Sequence, residues 1–206
     1  CADLFLQETL LDGAERELAT ILEATADLDM LTALGIPVQC ENKLYNCAAV
    51  IQKGLILGLI PKTHIPNYGE FYEARWFTSA SELAETQYLP FAGQEMAELS
   101  SGALFHCISV PELVVGVEIC EDLWVSEPPS ARLAAKGATL ILNLSASDEV
   151  TGKADYRRSL VTGQSAQCLC AYVYADAGEG ESSTDLVFSG HNMVAENGTM
   201  LAERRF

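Results

Sequence analysis

Apolar residues near the start of the chain recur at helical spacing. Leu6, Leu10, Leu11, Leu18, Ile21 and Leu22 form one stripe, with Glu8, Glu15, Arg16 and Glu23 on other faces. This pattern predicts a helix over 4–28, weakened slightly by Gly13. The apolar stretch 31–38 is short and broken by Gly35 and Pro37. Residues 45–52 and 55–60 then read as two strands joined by a Lys53-Gly54 hairpin turn, with Pro61 closing the second. Residues 62–102 are polar and aromatic and punctuated by Pro66, Gly69, Pro90 and Gly93, and read mostly as loop.

Beyond residue 103 the pattern becomes regular. It predicts strands over 104–110 and 113–119, and a short helix over 130–137 with Ser130 as cap and Gly137 as stop. A buried strand over 139–144, a helix over 155–168 and a strand over 170–174 follow. The acidic segment 176–185 reads as a loop. Strands over 186–194 and 199–204 form a last hairpin around Glu196-Asn197-Gly198. Alternating strands and helices with hairpins at both ends predict a mixed α/β layered fold. No internal repeat and no linker divides the chain.

Composition narrows the function classes. The 206 residues carry 29 acidic and 12 basic side chains, for a formal net charge of -17. That balance opposes binding to nucleic acid, whose affinity comes from cations displacing counterions. Hydrophobic residues at 49% are too many for a disordered acidic tail, and no apolar run reaches the length of a membrane span. The seven cysteines form no even framework and no Cys-x-x-Cys pair, which argues for a reducing cytoplasm and against structural zinc. The chain opens Cys1-Ala2-Asp3 with neither an initiator Met nor a signal-like segment, and reads as a piece that starts mid-protein.

Chemistry concentrates at the ends of apolar strands, where side chains in α/β folds face ligand crevices. Cys120 ends the run Leu113–Ile119 and precedes Glu121-Asp122-Leu123-Trp124. It is either a core cysteine or a nucleophile, and as a nucleophile it needs a nearby cation to offset Glu118, Glu121 and Asp122. Lys62, just past another strand, is either a surface lysine or that cation. The aromatics, carboxylates and arginine between Lys62 and Phe77 resemble a pocket wall. Ser147 lies past a third strand end, to contact a ligand or to satisfy chain ends. His64, His106 and His191 show no spacing that favours a Cys-His dyad. The segment Gly178–Ser183 is too acidic to cradle phosphate, and no Gly-x-x-x-x-Gly-Lys-Ser/Thr motif occurs.

These segments resemble the nitrilase (carbon–nitrogen hydrolase) superfamily. The closer likeness is to the glutamine-hydrolysing domains of glutamine-dependent NAD⁺ synthetases. Lys62 to Phe77 is similar to the family's lysine loop, with Pro66-Asn67-Tyr68 and Phe71-x-Glu73-x-Arg75. Val115 to Trp124 is similar to its nucleophile segment, followed by Pro128-Pro129. Asn143 to Ser147, Lys153 with Tyr156-Arg157-Arg158, and Leu186 to Gly190 leading into Asn197-Gly198 complete an ordered set along nearly the whole chain. The resemblance implies a four-layer α-β-β-α sandwich and a Glu, Lys and Cys catalytic set.

Carried over, Cys120 is the nucleophile, while Lys62 and the backbone N–H of Glu121 hold the oxyanion. Tyr68 and Trp124 match positions that line the glutamine pocket, and Ser147 and Lys153 match positions that hold its α-groups. Glu73 matches a carboxylate supporting the lysine. Lys153 is often Arg in relatives and lacks that side chain's fork. The general-base Glu lies in a Pro-Glu-Leu motif ahead of the first helix. No such motif occurs there, and Pro111-Glu112-Leu113 reads as a coincidental turn.

The resemblance therefore implies one carbon–nitrogen hydrolase domain over 1–206, short of its first strands, its catalytic Glu and a downstream synthetase domain. Little glutaminase activity is expected of these residues alone. No cofactor or metal is expected in this domain, with ATP and Mg confined to the synthetase domain. Glutamine, that domain and further copies of the chain are the expected partners, with no nucleic acid and no membrane. The rival readings are a stand-alone nitrilase-like amidase for another carboxamide and a non-catalytic module of the same fold.

Overall fold

The computed structural model describes residues 1–181 and 186–205. The part of the expected acidic loop over 182–185 lies outside them. The chain divides into two compact units, residues 1–101 and 102–206.

In the first unit a short 3-10 turn, Ala2–Leu6, precedes helix α1, Glu8–Ala24. The predicted helix is thus divided at Gln7, whose backbone is extended. Strands β1 (Thr32–Cys40), β2 (Lys43–Gln52), β3 (Leu55–Pro61), β4 (Gln87–Phe91) and β5 (Gln94–Leu99) form one sheet in the order β1-β2-β3-β5-β4. The β2–β3 hairpin turns at Lys53-Gly54 as predicted, both residues having positive φ, the signature of a tight primed turn. Leu18 and Leu22 of α1 pack against Ile36, Val38, Cys47, Ala49, Ile51 and Leu59; of the rest of the predicted stripe Leu10 and Leu11 are partly buried, while Leu6 and Ile21 stay exposed. Most of the broken apolar stretch 31–38 lies in β1, an edge strand paired only with β2, so Pro37 costs no central ladder bond. The 62–102 loop also contains the β4–β5 hairpin, turning at Ala92-Gly93.

In the second unit β6 (Phe105–His106), β7 (Val114–Ile119), β8 (Leu140–Ser145), β9 (Ala171–Asp176), β10 (Asn192–Glu196) and β11 (Thr199–Arg204) form a sheet in the order β11-β10-β9-β8-β7-β6. Strands β7, β8 and β9 are parallel, connected through helices α2 (Pro129–Ala135) and α3 (Lys153–Cys168). The strand predicted over 104–110 shrinks to two residues, and the one over 186–194 begins only at Asn192. Ser130 is not the cap of α2: Pro128 holds that position, and Ser130 lies buried within the first turn.

The side chains of Glu118, Asn143 and Tyr174 stand in one row across β7, β8 and β9. Leu133 of α2 and Val161 of α3 pack with Ile141, Tyr172, Tyr174 and Met193. Gly116 lets α2 approach: a Cβ there would lie 3.0 Å from Leu133 Cδ1 and 3.1 Å from Ile141 Cδ1. Among the described residues no helix is long and apolar enough to cross a membrane. The two sheets give the mixed α/β fold expected from the sequence.

Candidate active site

The sequence-predicted site residues divide between the units. Lys62, Tyr68 and Glu73 belong to the first.

Lys62 directly follows β3 and is anchored by its backbone. Its N–H donates to Asn46 O at 2.8 Å, and its carbonyl accepts from Ala80 N at 2.9 Å. The side chain is 1% exposed, and its Nζ donates to Glu73 Oε2 at 2.8 Å. A buried ammonium needs such a partner, because desolvation disfavours its charge. Glu73 opens a 3-10 turn, Glu73–Arg75, whose position is held from outside the loop. Arg75 donates to both Asp3 oxygens at 2.6 and 3.1 Å, and the Trp76 indole donates to Asp3 Oδ1 at 2.9 Å. These bonds hold the Asp3 carboxyl down to about 2. Phe5 closes edge-on against Phe77 at 4.8 Å. Tyr68 is exposed, with its ring edge-on to Phe71 at 6.1 Å.

Cys120, Glu121, Trp124, Ser147 and Lys153 belong to the second unit. Cys120 is the first residue of a 3-10 turn, Cys120–Leu123, at the carboxyl end of β7. It is buried and its φ is +48°, a left-handed conformation that costs a non-glycine residue energy and is concentrated at functional sites. The turn is tied down on both sides. Asp122 Oδ2 accepts from Ile119 N–H at 3.0 Å, and Asn143 Oδ1 accepts from Cys120 N–H at 3.1 Å.

Asn143 is itself oriented by a buried relay. Tyr172 has one proton, which it donates to Glu118 Oε1, so its oxygen accepts from Asn143 Nδ2 at 3.0 Å. That leaves Asn143 Oδ1 for the Cys120 N–H and for the Ser145 hydroxyl at 2.7 Å. Glu118 Oε2 accepts from Ser130 N–H at 2.7 Å. Burial pushes the Glu118 carboxyl up to about 7, its hydrogen bonds to Tyr172 and Ser130 opposing the rise and the neighbouring Asp122 adding to it.

Beside the Cys120 turn stands a second polar group. Lys153, in the first turn of α3, pairs with Asp148 and lies 5.0 Å from the centre of the Trp124 ring, in cation–π range. Ser147 is buried: its N–H donates to Asp176 Oδ1 at 2.7 Å and its Oγ accepts from Arg157 Nε at 3.2 Å. Arg157 is fully buried, bonding Asp148 O at 2.9 Å and His191 Nδ1 at 3.1 Å, while His191 Nε2 lies 2.8 Å from Glu203. His191 is thus engaged with Arg157 and Glu203. A separate cavity of about 700 Å³ is bordered by Glu149, Asp176, Gly178, Glu179, Gly180 and Arg204. Among the described residues no group of His, Cys, Asp and Glu gathers to hold a metal ion.

The structure thus brings together Lys62 with Glu73, and Lys153 with Trp124. The sequence reading weighed Glu118 only as a carboxylate opposing a Cys120 thiolate, counted Asn143 and Arg157 only within matched segments, and gave no role to Asp148 or Tyr172; in the structure Glu118 bonds Tyr172 and Ser130 instead. One signal was present: Glu118 is a carboxylate inside an otherwise apolar strand, and such a group needs buried partners.

The family model for carbon-nitrogen hydrolases matches residues 2–205. A glutamine-dependent NAD(+) synthetase of Mycobacterium tuberculosis is 43% identical over 201 residues, covering 98% of this chain and 29% of that protein. The crystal structure of a glutamine-dependent NAD(+) synthetase from Cytophaga hutchinsonii aligns with a TM-score of 0.84 and 30% identity, covering 100% of this chain and 32% of the other. An amidase of the nitrilase superfamily from Nesterenkonia AN1 shares the fold with a TM-score of 0.70, at 18% identity over 98% of this chain and 67% of its own. The chain therefore spans 29% of the length of the curated relatives it matches.

Proposed function

Because the chain belongs to the carbon–nitrogen hydrolase family, we propose that it is the Cys120-bearing part of a parent protein that hydrolyses the side-chain amide of glutamine and supplies the ammonia for ATP-dependent synthesis of NAD⁺ from deamido-NAD⁺, with little activity in these residues alone. In this reading the Cys120 thiolate attacks the carboxamide carbon. An S–C bond forms, the C–N bond breaks, and the nitrogen leaves as ammonia with the proton that the family's general-base glutamate has taken from the Cys120 thiol. Water then attacks the γ-glutamyl thioester, the S–C bond breaks, and glutamate and the thiolate are regenerated. The Lys62 ammonium and the Glu121 backbone N–H hold the oxyanion in both steps, and Glu73 keeps Lys62 charged and oriented.

The observation that favours an amino-acid amide over a simple carboxamide is the Lys153–Asp148 pair beside Ser147 and Trp124. A cation and a carboxylate side by side match an α-carboxylate and an α-ammonium. Tyr68 and Trp124 supply apolar walls. The ammonia is consumed by a synthetase domain of the same parent chain, which uses ATP and Mg, while the hydrolase domain itself needs no cofactor. Assembly of several copies in the cytoplasm completes the proposal.

The test is covalent labelling with a glutamine-analogue electrophile, followed by peptide mapping. Labelling of Cys120 over the other six cysteines, blocked by excess glutamine, is the expected result. No selective labelling identifies a non-catalytic module, and faster turnover of another carboxamide identifies a stand-alone amidase.

A further inference from the structure

Helix α3 ends on Cys168, and Cys170 directly precedes β9. Leu169 alone separates the two cysteines. Its backbone is left-handed, at φ +50° and ψ +47°, a conformation that at helix ends usually falls to glycine or asparagine. The leucine gains no burial there, being 79% exposed. A non-glycine residue keeps such a conformation only where its surroundings over-determine it. The effect falls on its neighbours. A helical residue of either hand sets the Cα atoms on its two sides about 5.4 Å apart, whereas an extended one sets them at about 7 Å. The shorter value lies within the span of about 4.4–6.8 Å that a disulfide bridges.

The side chains meet as well. Cys170 is buried, Cys168 is partly buried, and both pack with Val161 and Tyr172. The Cys168 sulfur accepts from Gln164 Nε2 at 3.3 Å and interacts with the Cys170 thiol as its donor. Burial and the Glu118 carboxyl raise the Cys168 thiol, and those two donors oppose the rise. Cys170 has no such support: burial, together with the neighbouring Cys168 sulfur to which it donates, pushes it up to about 12. Cys168 is thus the sulfur that ionises first and that solvent reaches, with a protonated thiol directed at it. The pair is also remote from Cys120. Strands β7, β8 and β9 run parallel, and Cys120 follows the end of β7 while Cys170 precedes the start of β9.

We infer that Cys168 and Cys170 form a dithiol oxidation site, closed to a disulfide by hydrogen peroxide, with Cys168 as the attacking thiol and Cys170 as the resolving one. In the first step the Cys168 sulfur attacks a peroxide oxygen. An S–O bond forms, the O–O bond breaks, and the departing hydroxide takes the Cys168 proton and leaves as water, with Cys168 now a sulfenic acid. In the second step the Cys170 sulfur attacks the Cys168 sulfur. An S–S bond forms, the S–O bond breaks, and hydroxide leaves with the Cys170 proton as a second water. The dithiol gives up two electrons and the peroxide takes them. Burial makes this a slow dithiol rather than a rapid scavenger. The site needs neither Cys120 nor glutamine, so it stands apart from the proposed function.

The test is to treat the parent protein that carries these residues with hydrogen peroxide, alkylate the remaining thiols and weigh the tryptic peptides. Residues 159–204 form one such peptide, with Cys168 and Cys170 as its two cysteines. The expected result is that this peptide escapes alkylation, weighs about 2 Da less than the dithiol, and recovers both thiols on reduction. Cys170→Ser is expected to stop at a Cys168 sulfenic acid that dimedone traps, and Cys168→Ser to leave Cys170 unmodified. Four results overturn the inference: both thiols still alkylated once other cysteines of the chain are oxidised, a disulfide from either one to a different cysteine, a sulfinic acid at Cys168 with no disulfide before it, or oxidation of Cys170 in Cys168→Ser.

Discussion

Glu118 offers the sharpest quantitative test of how the Cys120 turn is held. Its carboxyl is buried in β7, and its pKa is pushed from an ordinary 4.5 up to about 7. In the folded protein Glu118 therefore keeps its proton to higher pH than in the unfolded chain. Between those two values the folded state binds more protons, so stability falls as pH rises from about 4.5 to about 7 and is flat on either side. The loss across the window is about 3 kcal/mol.

Glu118→Gln has no charge to lose. Its amide nitrogen must face either Tyr172 or the Ser130 N–H, which adds a cost of about 1–3 kcal/mol that does not vary with pH. The informative quantity is therefore the difference between wild type and variant as pH changes, in which titration of all other groups cancels. Urea denaturation of both proteins from about pH 4 to about pH 8 measures it. The wild type is expected to lose about 3 kcal/mol relative to Glu118→Gln across that range. Stability curves that run parallel would refute the argument, because they would show that Glu118 titrates as it does in the unfolded chain.

Two further predictions concern packing and the lysine loop. Gly116→Ala places a methyl group against Leu133 and Ile141 and is expected to lower stability by about 1–2 kcal/mol, read as a drop in Tm. Glu73→Gln removes the carboxylate next to the buried Lys62 ammonium and is expected to cost about 3 kcal/mol, at the low end for a broken buried pair because Glu73 is partly exposed. Thermal denaturation checks it, and an unchanged Tm would show that other groups carry the Lys62 charge.

Much of this architecture was legible in the sequence where one physical signal dominated. The α1 stripe, the Lys53-Gly54 turn and strand β8 each followed from periodicity or turn chemistry alone. Two of the missed elements share a cause. Strands β1 and β4 contain Pro37 and Pro90 and lie at the two edges of their sheet, where ladder bonds are needed on one side only. Sequence pattern cannot distinguish an edge strand from a loop when proline is tolerated there. The same limit applied to the site. Strand ends pointed to Lys62, Cys120 and Ser147, but the partners that orient them come from other elements, as Asn143 does for Cys120. Arg157 and Arg158 are adjacent letters, yet one is fully buried and the other exposed, because α3 turns only one of them toward β8.

Lys153 and Arg157 occupy successive turns of α3 and divide two tasks that one cation would otherwise have to share. Arg157 joins the ends of β8 and β10 through Ser147, Asp148 and His191, and its replacement would undo the framework. Lys153 is partly exposed and stands against Asp148 and Trp124 without supporting the sheet. Under the proposed function, changes at position 153 would alter ligand preference while the scaffold held by Arg157 stays constant.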